Sequence, residues 1–177
     1  VGKYFPSIKT NASVNYRNTY TVSDSFLNNH AFKNKNNSQA YGLKVNNTYF
    51  SWMSVDYSMS ISDTKQEGST GLLPKTKGYS HNLATFFYPL ENHTIGFAWD
   101  QLNTTNNGTA YKNPFFDLSY QYSWSKKKID FELKWMNISN RKVFETYDLN
   151  AQYNSLTYTK IQLRPSQVMF SVKFNFK

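Results

Sequence analysis

Met53-Ser-Val-Asp-Tyr-Ser-Met-Ser-Ile-Ser62 decides how this chain folds. Met53, Val55, Tyr57, Met59 and Ile61 are apolar, while Ser54, Asp56, Ser58, Ser60 and Ser62 between them are polar. Successive side chains of an extended strand point to opposite faces, so this alternation makes one apolar and one polar face. A helix would set Asp56 among the apolar residues. The segment therefore reads as a strand.

The same period recurs on both sides. Upstream, Ile8, Thr10, Ala12, Val14, Tyr16, Tyr20 and Val22 oppose Lys9, Asn11, Ser13, Asn15 and Arg17, and Tyr41, Leu43, Val45 and Tyr49 oppose Gly42, Lys44, Asn46 and Thr48. Downstream, residues 79–88 alternate less cleanly because Phe86, Phe87 and Tyr88 run together. Then Ile95, Phe97 and Trp99 oppose Gly96, Ala98 and Asp100. Phe116, Leu118, Tyr120, Tyr122 and Trp124 oppose Asp117, Ser119, Gln121 and Ser123. Ile129, Phe131, Leu133 and Trp135 oppose Asp130, Glu132 and Lys134. Val168, Phe170, Val172, Phe174 and Phe176 oppose Gln167, Ser171, Lys173 and Asn175. Eight strands are expected, and no helical period of similar length competes.

The connections sort by length. Short ones fall at 50–52, 89–92 and 125–127, and long polar loops rich in Asn, Thr, Lys and Gly are expected at 23–38, 62–78, 103–113 and 140–164. Short turns at one end and long loops at the other are the plan of an outer-membrane barrel. Tyr49, Phe50, Trp52, Tyr88, Tyr122 and Trp124 flank the short turns, where an aromatic girdle meets the lipid–water boundary. The fold expected is all-β, a transmembrane antiparallel up-and-down β-barrel.

Bulk properties agree. Of 177 residues 18% are aromatic, yet mean hydropathy is −0.67, as two-faced strands require. No run approaches the roughly 18–20 apolar residues of a membrane helix, a test that does not reach barrels. There is no cysteine, hence no disulfide framework or thiol site. Residues 1–5 do not read as a signal peptide; an exported protein would carry its signal outside this stretch.

The net charge is +9. On the polar faces Lys9, Arg17, Lys44, Lys134 and Lys173 balance Asp56, Asp100, Asp117, Asp130 and Glu132, and these ten are expected to face the lumen. The surplus then belongs to loops, turns and ends. Nucleic acid is excluded as a partner, because the basic residues do not interleave with a stacking aromatic face.

Catalytic and metal sites have little support. His30, His81 and His93 fall in different places, with His81 expected near the outer end of its strand and His93 at the opposite end. Asp63 and Glu67 with Lys65, and Glu145 and Asp148 with Arg141 and Lys142, are expected at the outer rim, but no ligand spacing singles them out. No phosphate-binding glycine loop or zinc pattern occurs. The chain reads as a non-enzyme without cofactor or metal.

The final segment, Leu163-Arg-Pro-Ser-Gln-Val-Met-Phe-Ser-Val-Lys-Phe-Asn-Phe176, resembles the C-terminal strand of the TonB-dependent receptor-like outer-membrane barrels of Bacteroidetes. In that family a Leu-Arg-Pro stretch commonly leads into a last alternating strand ending in an aromatic. The resemblance covers this one strand. It implies that Val168, Phe170, Val172, Phe174 and Phe176 form the address read by the barrel-assembly machinery. It also implies residence in a bacterial outer membrane, and contact with lipid, lipopolysaccharide and other envelope proteins.

Members of that family have roughly 22 strands and an N-terminal plug. No plug is expected within residues 1–177. The chain therefore reads either as the closing portion of a larger barrel, the preferred expectation, or as one complete small barrel domain. Three functions follow: a transport component of TonB-dependent-receptor type, a structural or accessory barrel that binds partners in an envelope complex, and a soluble ligand-binding β-protein.

Overall fold

A computed structural model describes residues 1–27, 30–68, 71–72, 75–106, 108–150 and 155–175. Twelve strands occur among them. They are β1 (Gly2–Phe5), β2 (Thr10–Leu27), β3 (His30–Asn47), β4 (Met53–Gly68), β5 (Gly71–Leu72), β6 (Thr76–Phe87), β7 (His93–Asn106), β8 (Thr109–Trp124), β9 (Ile129–Met136), β10 (Val143–Asn150), β11 (Ser155–Gln162) and β12 (Gln167–Phe174). The main ladder is antiparallel throughout and runs β1-β2-β3-β4-β6-β7-β8-β9-β12, with β5 attached to β4. Strands β10 and β11 form a separate hairpin. Among the described residues β1 and β12 are the end strands, and no ladder joins them.

All eight expected strands are present in the main ladder. Among the described residues most of the expected long loops are paired strand instead; residues 28–29, 69–70, 73–74, 107 and 151–154 of those stretches lie outside the described residues. Strands β2 and β3 pair without interruption out to Leu27↔His30, β4 continues to Gly68, and β7 and β8 pair out to Asn106↔Thr109. These Asn- and Lys-rich stretches lack apolar alternation, so sequence alone leaves them as coil. The backbone ladder nevertheless propagates through them, since each added pair satisfies two more backbone groups. The 140–164 region likewise holds the hairpin instead of a loop. Part of the surplus positive charge, including Lys33, Lys35, Lys65 and Lys77, therefore sits on strand extensions.

Three of the turns at the other end share one device. Pro6–Ile8 and Ser125–Lys127 are single 3-10 turns, each followed by a lysine in the left-handed region, Lys9 at φ 42° and Lys128 at φ 55°. Asn92 does the same at φ 64° before β7. Each turn closes through a backbone N–H reaching three residues back: Lys9 to Pro6, His93 to Leu90, Lys128 to Ser125. Lys9 is thus a turn residue outside β2, which corrects its expected place on the polar face.

Register carries the two faces across the whole sheet. One transverse row reads Ser13, Lys44, Ser58, Asn82, Asp100 and Phe115, and the adjacent row on the other face reads Val14, Leu43, Met59 and His81. A space of about 680 Å³ is bordered at once by polar-face residues of β2, β3, β4, β6 and β7 and by β1. Six strands border one space only if the sheet curves around it, so the polar face is concave and the apolar face convex.

Burial is inverted relative to a water-soluble domain. No large hydrophobic side chain is buried among the described residues, and the buried groups are Thr10, Asn34, Gln66, Thr85, Thr104, Asn113 and Thr146. Val14, Tyr20, Val168 and Phe170 are 57, 62, 62 and 65% exposed. On β4 the apolar face runs from Met53 to Ile61 and then turns charged at Asp63. That length matches the roughly 9–11 residues with which a tilted strand crosses hydrocarbon. Beyond it the strands continue as polar ribbon.

Spin labels at Val14, Tyr57, Phe97, Tyr120, Leu133 and Val172, all on the convex face, should meet oxygen in lipid and escape a water-soluble quencher. Labels at Ser58, Ser80 and Ser119 should behave oppositely, and the reverse pattern would rule out this orientation.

Candidate functional site

The concave face is floored by small residues. Ala40, Gly42, Ser60, Ser62, Gly78, Ser80, Ala84, Ala98 and Ser119 occupy its middle rows. Gly96 stands on the same face, where an added Cβ would lie 2.5 Å from Ser119 Oγ and 3.3 Å from the Phe86 ring. Phe86 itself points to the concave face, which explains the broken alternation at 86–88.

Register places nine of the ten expected charges on this face: Arg17, Lys44, Asp56, Asp100, Asp117, Asp130, Glu132, Lys134 and Lys173. Lys9 is the exception described above. The carboxylates are held by neighbours. Asn46 Nδ2 donates to Asp56, and Asn82 Nδ2 donates to Asp100 Oδ1 at 2.6 Å. Asn175 Nδ2 donates to Asp130 at 2.9 Å, and Lys134 lies 3.8 Å from Asp117. Arg17 and Lys44 stand on β2 and β3 and Asp56 and Asp100 on β4 and β7, whereas on β8, β9 and β12 the two signs interleave: Lys134 and Lys173 stand among Asp117, Asp130 and Glu132.

The hairpin β10–β11 lies against this same face. Asn113, wholly buried on β8, grips it: Nδ2 donates to the Glu145 carbonyl at 2.7 Å, and Oδ1 accepts from the Glu145 N–H at 3.2 Å and from Arg141 Nη2 at 3.0 Å. Thr104 Oγ1 on β7 accepts from the Tyr147 N–H at 3.4 Å. Asn113 and Thr104 both belong to concave-face rows, so the hairpin folds inward over the curve.

The hairpin's feet are clasped by Asn137, itself at φ 51°. Its Nδ2 donates to the carbonyls of Arg141 and Arg164 at 2.8 and 3.0 Å, and its Oδ1 accepts from the Arg141 N–H at 2.9 Å. Asp117 Oδ1 fixes the Asn137 N–H at 2.9 Å. The clasp joins both feet to β8, so an inward hairpin is built into the fold. Tyr111, Tyr147 and Tyr158 pack with ring centroids 4.9 to 6.1 Å apart, and Tyr158 Oη donates to Glu145 Oε1 at 2.6 Å. That carboxylate holds the Tyr158 phenol protonated, pushing it up to about 12. None of the anchors Asn113, Thr104 and Asn137 was among the expected site residues; the one sequence signal was the strand-forming composition of Val143-Phe-Glu-Thr-Tyr147 and Leu156-Thr-Tyr-Thr-Lys-Ile161.

On the convex face, aromatic residues gather at the turn end. Tyr49, Phe50, Trp52 and Phe87 form a chain of rings 5.0 to 6.3 Å apart, and His93, Tyr122, Phe131 and Phe170 form a second, 4.8 to 6.4 Å apart. Trp124 is 41% exposed at the same end. Tyr88 departs from the expected girdle: it shares the parity of Phe86, and its hydroxyl lies 3.1 Å from Ser54 Oγ on the concave face. Val168, Phe170, Val172 and Phe174 lie on the convex face of the edge strand β12, while Phe176 lies outside the described residues.

The remaining candidates are dispersed. His81 sits mid-strand instead of near the outer end, because β6 extends five residues past it to Thr76. Its Nδ1 is 2.9 Å from Tyr57 Oη and its ring stacks on Trp99. His93 Nδ1 is 2.7 Å from Tyr120 Oη. His81 pairs with Gln101, eight residues along β7 from His93, a separation of about 26 Å at strand rise. The two share no site. At the rim Asp63 pairs with Lys75 at 2.6 Å and Glu67 with Lys35 at 3.1 Å. The side chains of His30 and Asp148 lie outside the described residues. Among the described residues no group of three or more His, Asp or Glu side chains could hold a metal.

No protein-family model matches this chain, and no curated protein matches it. Among solved structures it is similar to OmpT, an outer membrane protein of Vibrio cholerae folded in vitro and solved in its trimer form. The two share 8% identity and a TM-score of 0.51 over 97% of this chain and 52% of that one. The chain therefore has the fold of an outer-membrane β-barrel protein and spans about half the length of this neighbour.

Asn113→Ala removes a buried group that makes three hydrogen bonds, and should cost the hairpin's docking about 1–3 kcal/mol. Amide exchange at Glu145 and Tyr147 should quicken while that of β3 and β4 stays unchanged. The raised Tyr158 phenol adds a pH dependence: its contribution is complete below about pH 10 and is lost as pH rises through about 12. In Glu145→Gln, ultraviolet titration referenced to Tyr158→Phe should find Tyr158 ionising closer to 10.

Proposed function

We propose that this chain forms part of the wall of a bacterial outer-membrane barrel through which polar solutes pass. The convex face contacts lipid and the aromatic chains ring one membrane boundary. The concave face lines the passage, and the β10–β11 hairpin narrows it.

The observation that carries this reading is the seating of the hairpin backbone on Asn113 and Thr104 of the concave face. A barrel of eight strands fills its interior with side chains and has no room for a two-stranded ribbon. A wider barrel does have that room. Small floor residues and hydrogen-bonded carboxylates supply a wetted surface along which a polar solute exchanges partners without large desolvation cost.

A narrower version, uptake by a TonB-dependent-receptor-like barrel, is supported by the Leu163–Phe176 resemblance. In it, Val168, Phe170, Val172, Phe174 and Phe176 are the assembly address, and lipopolysaccharide and the assembly machinery are the partners.

The test is ionic current across a planar bilayer holding the protein purified from membranes in detergent. Steps of uniform conductance are expected, and Asn113→Ala should enlarge them or add slow fluctuations as the hairpin loosens. A protein that inserts and folds but carries no current would overturn the proposal.

A further inference from the structure

Between the hairpin's feet and the concave face lies a second space of about 440 Å³, bordered by Asp100, Phe115, Asp117, Asn137, Arg164 and Gln167 among others. Its two banks carry opposite charge. Asp100 and Asp117 stand on β7 and β8, and Asp117 pairs with Ala98, two residues from Asp100. The two carboxylates are therefore diagonal neighbours on one face, with backbones about 7–8 Å apart. Arg164 stands on the opposite bank, its carbonyl tied down by Asn137 Nδ2. Phe115, Leu163 and Pro165 add apolar wall.

We infer that this space is a binding subsite for a small solute bearing both an ammonium group and a carboxylate, such as a free amino acid. The inference rests on the passage reading. The ammonium fits the Asp100 side, where Asn82 occupies one carboxylate oxygen and leaves the other to accept. Asp117 is already committed to the Asn137 N–H and lies near Lys134, so it supports the negative field more than it binds. The solute's carboxylate faces Arg164, whose planar donor fork suits it. The volume lies in the range of small-molecule sites. A solute with one charge leaves one bank uncompensated, and a neutral polyol gains no ion pair. Because the feet of the hairpin frame the space, a solute moving along the concave face encounters it beside the constriction.

The test uses L-leucine, with isoamylamine and mannitol as probes lacking the carboxylate and both charges. In the bilayer assay leucine should reduce the current saturably, and the other two should not do so at equal concentration. Asp100→Asn and Arg164→Gln should each raise the half-blocking concentration about tenfold, and Arg164→Lys should recover much of the loss. Heat-modifiable migration in a gel checks that each variant is folded. If the wild-type protein carries no current, the passage reading fails, and calorimetric titration of leucine into the detergent-solubilised protein decides the subsite by itself. Absence of saturable leucine binding, equal effect of mannitol, or indifference to both substitutions overturns the inference.

Discussion

A strand that crosses hydrocarbon has no water to satisfy its N–H and C=O groups, so a neighbouring strand must meet every one of them. The rest of this structure follows from that requirement. It demands a continuous antiparallel ladder, and the ladder from β2 to β9 is continuous. Strand period then forces each chain segment to offer one face to lipid and one to water. The convex face carries Val14, Tyr57, Phe97 and Leu133, and the concave face carries Lys44, Asp56 and Asp100. A slip of one residue in any pairing would exchange the faces and push Asp56 or Asp100 toward hydrocarbon, at a cost of about 2–4 kcal/mol for a charge near the midplane. Register is therefore fixed by the membrane as much as by the turns.

The same requirement explains the extended ribbons. Past Ile61 on β4 the alternation of hydropathy stops, yet pairing continues to Gly68. Once the membrane segment has set the register, each further pair adds hydrogen bonds with little new ordering of direction. The side chains there, such as Lys35 with Glu67 and Lys75 with Asp63, form exposed ion pairs that add little stability of their own.

The hairpin is the part that departs from a plain meander. Strand β9 is followed in the ladder by β12, and the β10–β11 hairpin between them folds inward instead of out. Two asparagines make that geometry. Asn137 binds both feet, and Asn113 satisfies the N–H and the C=O of Glu145 together, as a strand neighbour would. An amide side chain can do this because it offers a donor and an acceptor side by side. The aspartates that border the space under the feet are thereby brought opposite Arg164, which lies more than 40 residues away in sequence.

The amino-acid sequence by itself determined the eight main strands and their two faces. Each of these depends on period-2 alternation within one segment, a local property readable residue by residue. Lys9 was misplaced because a left-handed turn residue interrupts the count. The ribbons and the hairpin went unread because their side chains do not sort by solvent, and Asn113 and Asn137 look like any other asparagine in an Asn-rich chain. Only the tertiary structure decided that these two face the hairpin backbone, since a hydrogen bond between segments far apart leaves no periodic mark on either one.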